Sequence, residues 1–232
     1  MSVMSLFAIS DTHLSFSCDK PMDVFKGWQD YVTRLTKNWR AVVTDQDTVV
    51  IPGDISWAMR LNDTEADFRF LHELPGQKII LKGNHDLWWE TMKKMTAFLQ
   101  EKEFNTLQIL HNNCYTAGEF AVCGSRGWIM GEGEDDRKVL LREVSRLETS
   151  LKAATETGKT PIVFLHYPPV CTDRRCDEIM DLLIRYGVTR CYYGHLHGPA
   201  LHAAVNGTVD GIFFRVVSGD ALQFCPLLIE KF

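Results

Sequence analysis

Lys78-Ile79-Ile80-Leu81-Lys82-Gly83-Asn84-His85-Asp86 is the stretch on which the reading of this chain turns. A short apolar run, punctuated before by Pro75-Gly76 and after by Gly83, reads as a buried strand, and chemistry-bearing side chains follow it at once. The same arrangement recurs on both sides. The apolar run 3–10 ends at Asp11-Thr12-His13, and the β-branched run 47–51 ends at Pro52-Gly53-Asp54. Further on, 161–165 ends at His166, and 189–193 ends at Gly194-His195-Leu196-His197. In open α/β sheets the carboxyl ends of strands form the edge where ligands bind, so residues far apart in sequence can converge there. Glycines at these points let the backbone turn sharply and leave the rim uncrowded.

Between these runs lie helical patterns. Met22, Phe25, Trp28, Val32, Leu35 and Trp39 recur at spacings of three and four, which predicts one amphipathic helix over 22–39. Asn62-Asp63-Thr64-Glu65 caps a helix through Leu74, and a further helix is expected over 86–100. Val139, Leu140, Val144, Leu147 and Leu151 mark a long helix, reached through an acidic loop at 131–136 that reads as mobile, with a lid over 131–137 left open. Residues 178–186 form another helix, and the tail from 202 reads as meander. Helices alternating with strands imply an α/β sandwich with some antiparallel strands, and no repeat or linker divides the chain.

Composition narrows the classes. The 232 residues are 45% hydrophobic and 24% charged, which excludes a disordered chain, a fibre and a disulfide-stapled miniprotein. The formal net charge of -5 provides no global basic field for nucleic acid or an anionic membrane. Seven cysteines, odd in number and without a C-x-x-C pair, read as reduced thiols. No signal peptide or membrane span is read from the sequence, so a cytoplasmic protein without integral membrane association is expected.

Each motif alone is weak. With 8 histidines in the chain, His-x-His arises by chance roughly 0.28 times, whereas Gly-His-x-His arises only roughly 0.02 times. Asp-x-His, Gly-Asp and a lone His166 would each pass for a turn or a surface pair. Their order, their placement at strand ends and the Gly-Asn-His-Asp tetrapeptide together reverse that judgement. As a set these residues resemble the calcineurin-like metallophosphoesterase superfamily, whose signature reads D-x-H, G-D, G-N-H-[DE], H, G-H-x-H in that order.

The resemblance implies one metallophosphoesterase domain over 1–232, a four-layer αββα sandwich of two mixed β-sheets flanked by helices with a dinuclear metal site at the strand ends. By carry-over, Asp11, His13 and His197 would bind one metal, Asn84, His166 and His195 the other, and Asp54 would bridge both. His85 would sit just outside the metals, facing the substrate phosphate. The implied nucleophile is a hydroxide held between two divalent or mixed-valence ions. The donor set itself, imidazoles with carboxylates and an amide oxygen, suits Mn, Fe, Zn or Co. A close pair of such ions can orient a phosphoryl group and offset charge on attacking and leaving oxygens, which makes anions the natural substrates. An imidazole such as His85 can then donate a proton or hydrogen bond to the departing oxygen.

Other residues are weighed outside the signature. Arg126 could aim a guanidinium at the phosphate or form a surface ion pair, and Tyr167 could touch substrate or simply shape the loop presenting His166. Trp88 and Trp89 could form a stacking wall, but their spacing with Met92, Met95 and Phe98 favours the core. Trp57 departs from the Asp of the protein Ser/Thr phosphatase branch and from the Tyr of purple acid phosphatases. His85 departs from the Gly-Asn-Arg-Asp common in lipid A pathway pyrophosphatases. What remains is the small bacterial-type phosphohydrolase and phosphodiesterase group, acting on small phosphomonoesters or diesters, including nucleotides. The alternatives are a nuclease for short single strands, disfavoured by the net charge, and a non-catalytic metal-binding scaffold. Oligomeric state and monoester against diester preference are not read from the sequence.

Overall fold

The computed structural model describes residues 4–128 and 133–232. Eleven strands fall into two mixed sheets. In the first sheet, β1 (Ser5–Ala8), β2 (Thr48–Pro52), β3 (Gln77–Leu81) and β4 (Leu107–Ile109) run parallel, and β11 (Leu227–Lys231) closes the edge antiparallel to β1. In the second, β6 (Phe120–Ser125), β7 (Thr160–Leu165), β8 (Arg190–Tyr193) and β10 (Ile212–Val216) are parallel. Its edges, β5 (Tyr115–Ala117) and β9 (Gly207–Val209), are antiparallel.

The strands read as continuous apolar runs because both faces are covered. Leu6 and Ala8 of β1, Val50 of β2 and Ile79 and Leu81 of β3 point between the sheets, where they meet Val122, Ile162, Phe164 and Tyr192. Their neighbours Phe7, Val49, Ile51 and Ile80 face the opposite way, against α1 (Tyr31–Val42), α2 (Glu65–Glu73) and α3 (Met92–Glu101). In the second sheet Val163, Leu165 and Cys191 face α4 (Glu134–Glu156) and α5 (Asp177–Arg185). The period of two along each strand thus builds helix, sheet, sheet, helix, the four-layer sandwich that the signature implied.

Three helix boundaries differ from the sequence reading, each for a local reason. The segment 22–30 is a chain of turns, in which the N–H groups of Phe25, Trp28 and Tyr31 donate to the carbonyls of Met22, Phe25 and Trp28. Such i→i+3 steps put every third residue on one side, which imitates the helical spacing. Asp30, at φ 53, separates this segment from α1. Residues 86–91 are also non-helical, with a turn at 87–88: the Asp86 carboxylate accepts from the Gly83, Ile55 and Ser56 N–H groups, all outside this segment, and α3 starts at Met92, where Thr91 accepts from the Lys94 N–H. The acidic residues Glu134, Asp135 and Asp136 are the first turn of α4 rather than loop, where carboxylates complement the positive helix end. The remainder of that expected loop, 131–132, lies outside the described residues, and with it the question of a lid.

All seven cysteines are unpaired, and no described helix is long and apolar enough to cross a membrane. Two buried carboxylates fasten opposite ends of the first sheet, Asp47 where the chain enters β1 and β2 and Asp67 where it leaves them. Asp47 accepts from the Ser5 and Thr44 N–H groups, and Asp67 on α2 accepts from the Phe16 N–H at 2.9 Å and from the Ser56 hydroxyl. The loops after β1 and β2 are thereby held on one platform.

Candidate metal centre

At the carboxyl ends of β1, β2, β3, β7 and β8 two groups of side chains converge. Asp11, His13 and His197 form one, with donor atoms within 4.8 Å of one another. Asp54, His166 and His195 form the second under the same limit, and Asn84 joins it, its Oδ1 lying 2.7 Å from His166 Nε2 and 2.9 Å from His195 Nδ1. Asp54 Oδ2 stands 3.4 Å from His166 Nε2 and 3.7 Å from His13 Nε2, so one carboxylate oxygen faces both groups. All seven residues singled out from the sequence as candidate ligands therefore meet in one place.

The backbone that delivers them is strained. Asp11, His13, Asp54 and His195 all have positive φ, at 56°, 41°, 51° and 68°, a left-handed region that costs a non-glycine residue about 1–2 kcal/mol. Main-chain hydrogen bonds hold the loops in this form: Asp11 N–H to Gly53 C=O, His13 N–H to Asp54 C=O and Leu14 N–H to Ile55 C=O. The side chains are aimed by further bonds. Asp11 accepts from the Ser10 hydroxyl at 2.5 Å and from the His195 N–H, while Asp54 Oδ1 accepts from the His85 N–H at 2.8 Å. The His166 Nδ1 donates to the Pro52 carbonyl at 3.1 Å, which leaves Nε2 a lone pair directed at Asn84 and Asp54.

The glycines of the motifs have distinct duties. Gly53 needs both a left-handed turn, at φ +91, and space, since a Cβ there would fall 2.6 Å from His166 Nδ1, whereas Gly83 and Gly194 need space alone. A Cβ on Gly83 would fall 2.1 Å from both the N and the Oδ1 of Asp54, and one on Gly194 would fall 2.4 Å from Ser10 Oγ and 2.7 Å from Asp11 Oδ2. Sequence reasoning assigned them a sharp turn and an uncrowded rim together; which neighbour each one admits is visible only in three dimensions.

The donor set fits cations. Asp11 and His166 are fully buried, and Asp54 and His13 are 1% exposed. Burial pushes the Asp54 carboxyl up to about 9, with the Asp11 and Asp86 charges adding to it, and pushes the Asp11 carboxyl up to about 6. Burial also holds the His13 and His166 imidazoles well below their ordinary value and the His195 imidazole down to about 4. Both nitrogens of His13 are buried without a hydrogen-bond partner. Carboxylates that resist ionisation alone and neutral imidazoles with converging lone pairs match a site built for positive metal charge, which reverses each of these penalties.

With the geometry established, relatives can be compared. The family model for calcineurin-like phosphoesterases matches residues 4–199. The chain belongs to that family. An uncharacterized protein of Methanocaldococcus jannaschii is 31% identical over 98 residues, covering 40% of this chain and 53% of that protein, so the chain spans about half the length of this curated relative. Among solved structures, TT1561 of Thermus thermophilus superposes with a TM-score of 0.60 at 16% identity, over 93% of this chain and 89% of that one. A protein of unknown function from Aquifex aeolicus gives 0.54 at 18% identity over 97% and 95% of the two chains. The phosphopantetheinyl hydrolase of Mycobacterium tuberculosis gives 0.52 at 16% identity over 93% and 89%. At these identities the likeness is one of fold. Family members use two metal ions, and the two groups of candidate ligands described here are consistent with that.

The remaining sequence candidates sort themselves by position. His85 is half-buried, its ring 4.5 Å from the Trp57 ring and 5.6 Å from that of His13, and burial lowers its imidazole below the ordinary value. Tyr167 packs its ring 4.3 Å from the His195 ring, and its N–H donates to the Arg126 carbonyl. Arg126 does form an ion pair, though with a buried partner. It is 19% exposed, lies 3.4 Å from the buried Glu143 and stacks on Trp128. Trp88 belongs to the core at 1% exposure, while the half-buried Trp89 lines a cavity beside Arg126.

Several residues escaped the sequence reading. Asp86 is a staple: its Oδ1 accepts from the Ile55 and Ser56 N–H groups and Trp88 Nε1, and its Oδ2 accepts from the Gly83 N–H, which ties the Asp54 loop to the Asn84 loop. Trp57 stacks on His13 at 4.9 Å. It joins Met22, Phe25, Trp28 and Pro199 in an apolar pocket of about 580 Å³ bordered by His13, His85 and His197. Their helical spacing disguised Met22, Phe25 and Trp28 as one face of a helix. Gly83→Ala is expected to cost about 1–3 kcal/mol in urea unfolding through overpacking against Asp54 and to lower the metal retained per chain, whereas unchanged stability and metal content would show that the Asp54 loop yields freely.

Proposed function

We propose that this chain is a metal-dependent hydrolase of small organic phosphoesters, with Asp11, His13 and His197 holding one cation, Asn84, His166 and His195 the other, and Asp54 shared between them. The observation that carries this reading is the position of Asp54 Oδ2, 3.4 Å from a nitrogen of one group and 3.7 Å from a nitrogen of the other. A pair of divalent ions such as Mn, Fe, Zn or Co would supply Lewis-acid polarisation of the phosphoryl oxygens and a water acidic enough to be the nucleophile near neutral pH.

The chain's own residues do the rest. Asp54 offsets the charge at the centre and is itself fixed by the His85 N–H. The His85 ring, beside Trp57 and His13 on the wall of the apolar pocket, gives a proton or hydrogen bond to the oxygen that departs. The departing group then rests in that pocket against Trp57, Trp28, Phe25 and Met22, which excludes water and accepts an aromatic or otherwise apolar body. Tyr167, packed on His195, forms the opposite rim. A nucleotide or another small phosphomonoester or diester meets these demands, and the net charge of -5 supports a small substrate over a nucleic-acid strand. Seven unpaired thiols support work in a reducing compartment such as the cytoplasm.

Manganese-reconstituted protein is expected to hydrolyse p-nitrophenyl phosphate or its bis-ester, and a chelator is expected to abolish that turnover; turnover indifferent to chelation, or none with either ester, would contradict the reading. Replacing His85 with Asn is expected to lower kcat by ~10²–10⁴ with metal content unchanged. Loss of metal from that variant would instead make His85 a ligand.

A further inference from the structure

We propose that the cavity walled by Lys82, Arg126 and Arg146 holds a second, non-reacting anionic group of the substrate, so that the enzyme favours phosphoesters carrying a further phosphate. The inference rests on the reading of the metal centre as the hydrolytic site and specifies its substrate class.

Position is the first argument. The cavity, of about 410 Å³, includes Lys82 at the end of β3 and Ser125 and Arg126 at the end of β6. Lys82 leads directly into Gly83-Asn84. The Arg126 carbonyl accepts the Tyr167 N–H at 2.8 Å, and Tyr167 packs against His195. The cavity is thereby linked to the group formed by Asp54, Asn84, His166 and His195, along the chain from Lys82 to Asn84 and through Tyr167 from Arg126 to His195. The apolar pocket borders the other group, at His13 and His197. A substrate whose reacting phosphoryl lies at the centre can reach both.

Charge is the second argument. Three cationic side chains line the cavity, and one buried carboxylate of its wall answers the two arginines: Glu143, 1% exposed, whose Oε1 lies 2.6 Å from Arg146 and 3.4 Å from Arg126, while Asp86, off the wall, and Glu143 act on Lys82 only through their charge. The other carboxylate on the wall, Glu90, is engaged by Lys94 at 3.1 Å. Lys82 is half-buried and makes no hydrogen bond or ion pair among the described residues. A local positive surplus in a chain of net charge -5 is costly when partly removed from water, and an incoming anion offsets it. Geometry suits phosphate in particular. The Arg126 guanidinium lies 4.8 Å from the centre of the Trp128 ring, which fixes the plane of a group able to bind two oxygens at once.

The test compares kcat/KM of the manganese-loaded enzyme for adenosine 5′-monophosphate, adenosine 2′,5′-bisphosphate and adenosine 3′,5′-bisphosphate, all phosphomonoesters, which share a base and differ in the second anion. At least one doubly phosphorylated compound is expected to exceed the monophosphate by about tenfold or more, the worth of one charge-assisted contact. Lys82→Met is expected to remove most of that preference while p-nitrophenyl phosphate turnover stays chelator-sensitive. Because Lys82 has no partner to orphan, this variant avoids the unpaired Glu143 that Arg146→Met would leave. Equal rates for all three nucleotides, or a preference that survives Lys82→Met, would overturn the proposal. Failure of all chelator-sensitive turnover would instead contradict the hydrolytic reading. In that event, calorimetric titration of the same metal-loaded chain with inorganic phosphate decides the subsite: binding weakened by Lys82→Met supports it, and binding identical in both proteins, or absent from both, removes it.

Discussion

Two carboxylates and the imidazoles beside them are buried at the meeting point of two sheets, and the electrostatic demand this creates governs the rest of the structure. Asp11 and Asp54 lie among His13, His166 and His195 with almost no access to water, so their lone pairs converge where solvation cannot help them. A cation at each group would turn that liability into binding. Placing the donors takes main chain in unfavourable form, with left-handed backbone at Asp11, His13, Asp54 and His195. Such strain, about 1–2 kcal/mol at each residue, persists only where the surroundings over-determine it. Here the surroundings are the paired loops after β1 and β2, the Asp86 staple and the glycines that let Asp54 and Asp11 approach their neighbours.

The same constraint gives the centre its two unlike flanks. Loops that follow the first sheet bring Met22, Phe25, Trp28 and Trp57 to the side of His13, where packing on the imidazole needs apolar and aromatic partners. The ends of β3 and β6 bring Lys82 and Arg126 to the side of Asn84, where cations gather about a single buried glutamate. Either flank can then vary without touching the candidate metal ligands, because each flank is built by different loops on a common pair of sheets.

Much of this was legible in the sequence because strand ends are marked by abrupt changes of residue type. Apolar runs such as 78–81 and 161–165 give way to glycine, aspartate and histidine within a residue or two, so the strands, their order along the chain and all seven candidate ligands could be read together. The helix starts were less legible. Met22, Phe25 and Trp28 repeat every third residue in successive turns as they would on a helix, and nothing local distinguishes the two until Gly27 and Asp30 adopt positive φ. Glu134 to Asp136 read as a charged loop because the helix end that they complement is not itself visible in composition. Asp86 was visible as a motif letter, but its four acceptor contacts depend on loops brought from elsewhere. The grouping of Lys82 with Arg126 and Arg146 joins three elements separated by dozens of residues, and no periodicity connects them.

The central claim, a shared carboxylate between two cation sites, is tested most directly by counting metal. Equilibrium dialysis of the protein against manganese, followed by elemental analysis, should give two ions per chain, and Asp54→Asn should bind fewer. A wild-type chain that takes up no ion, or takes up only one, would contradict the account.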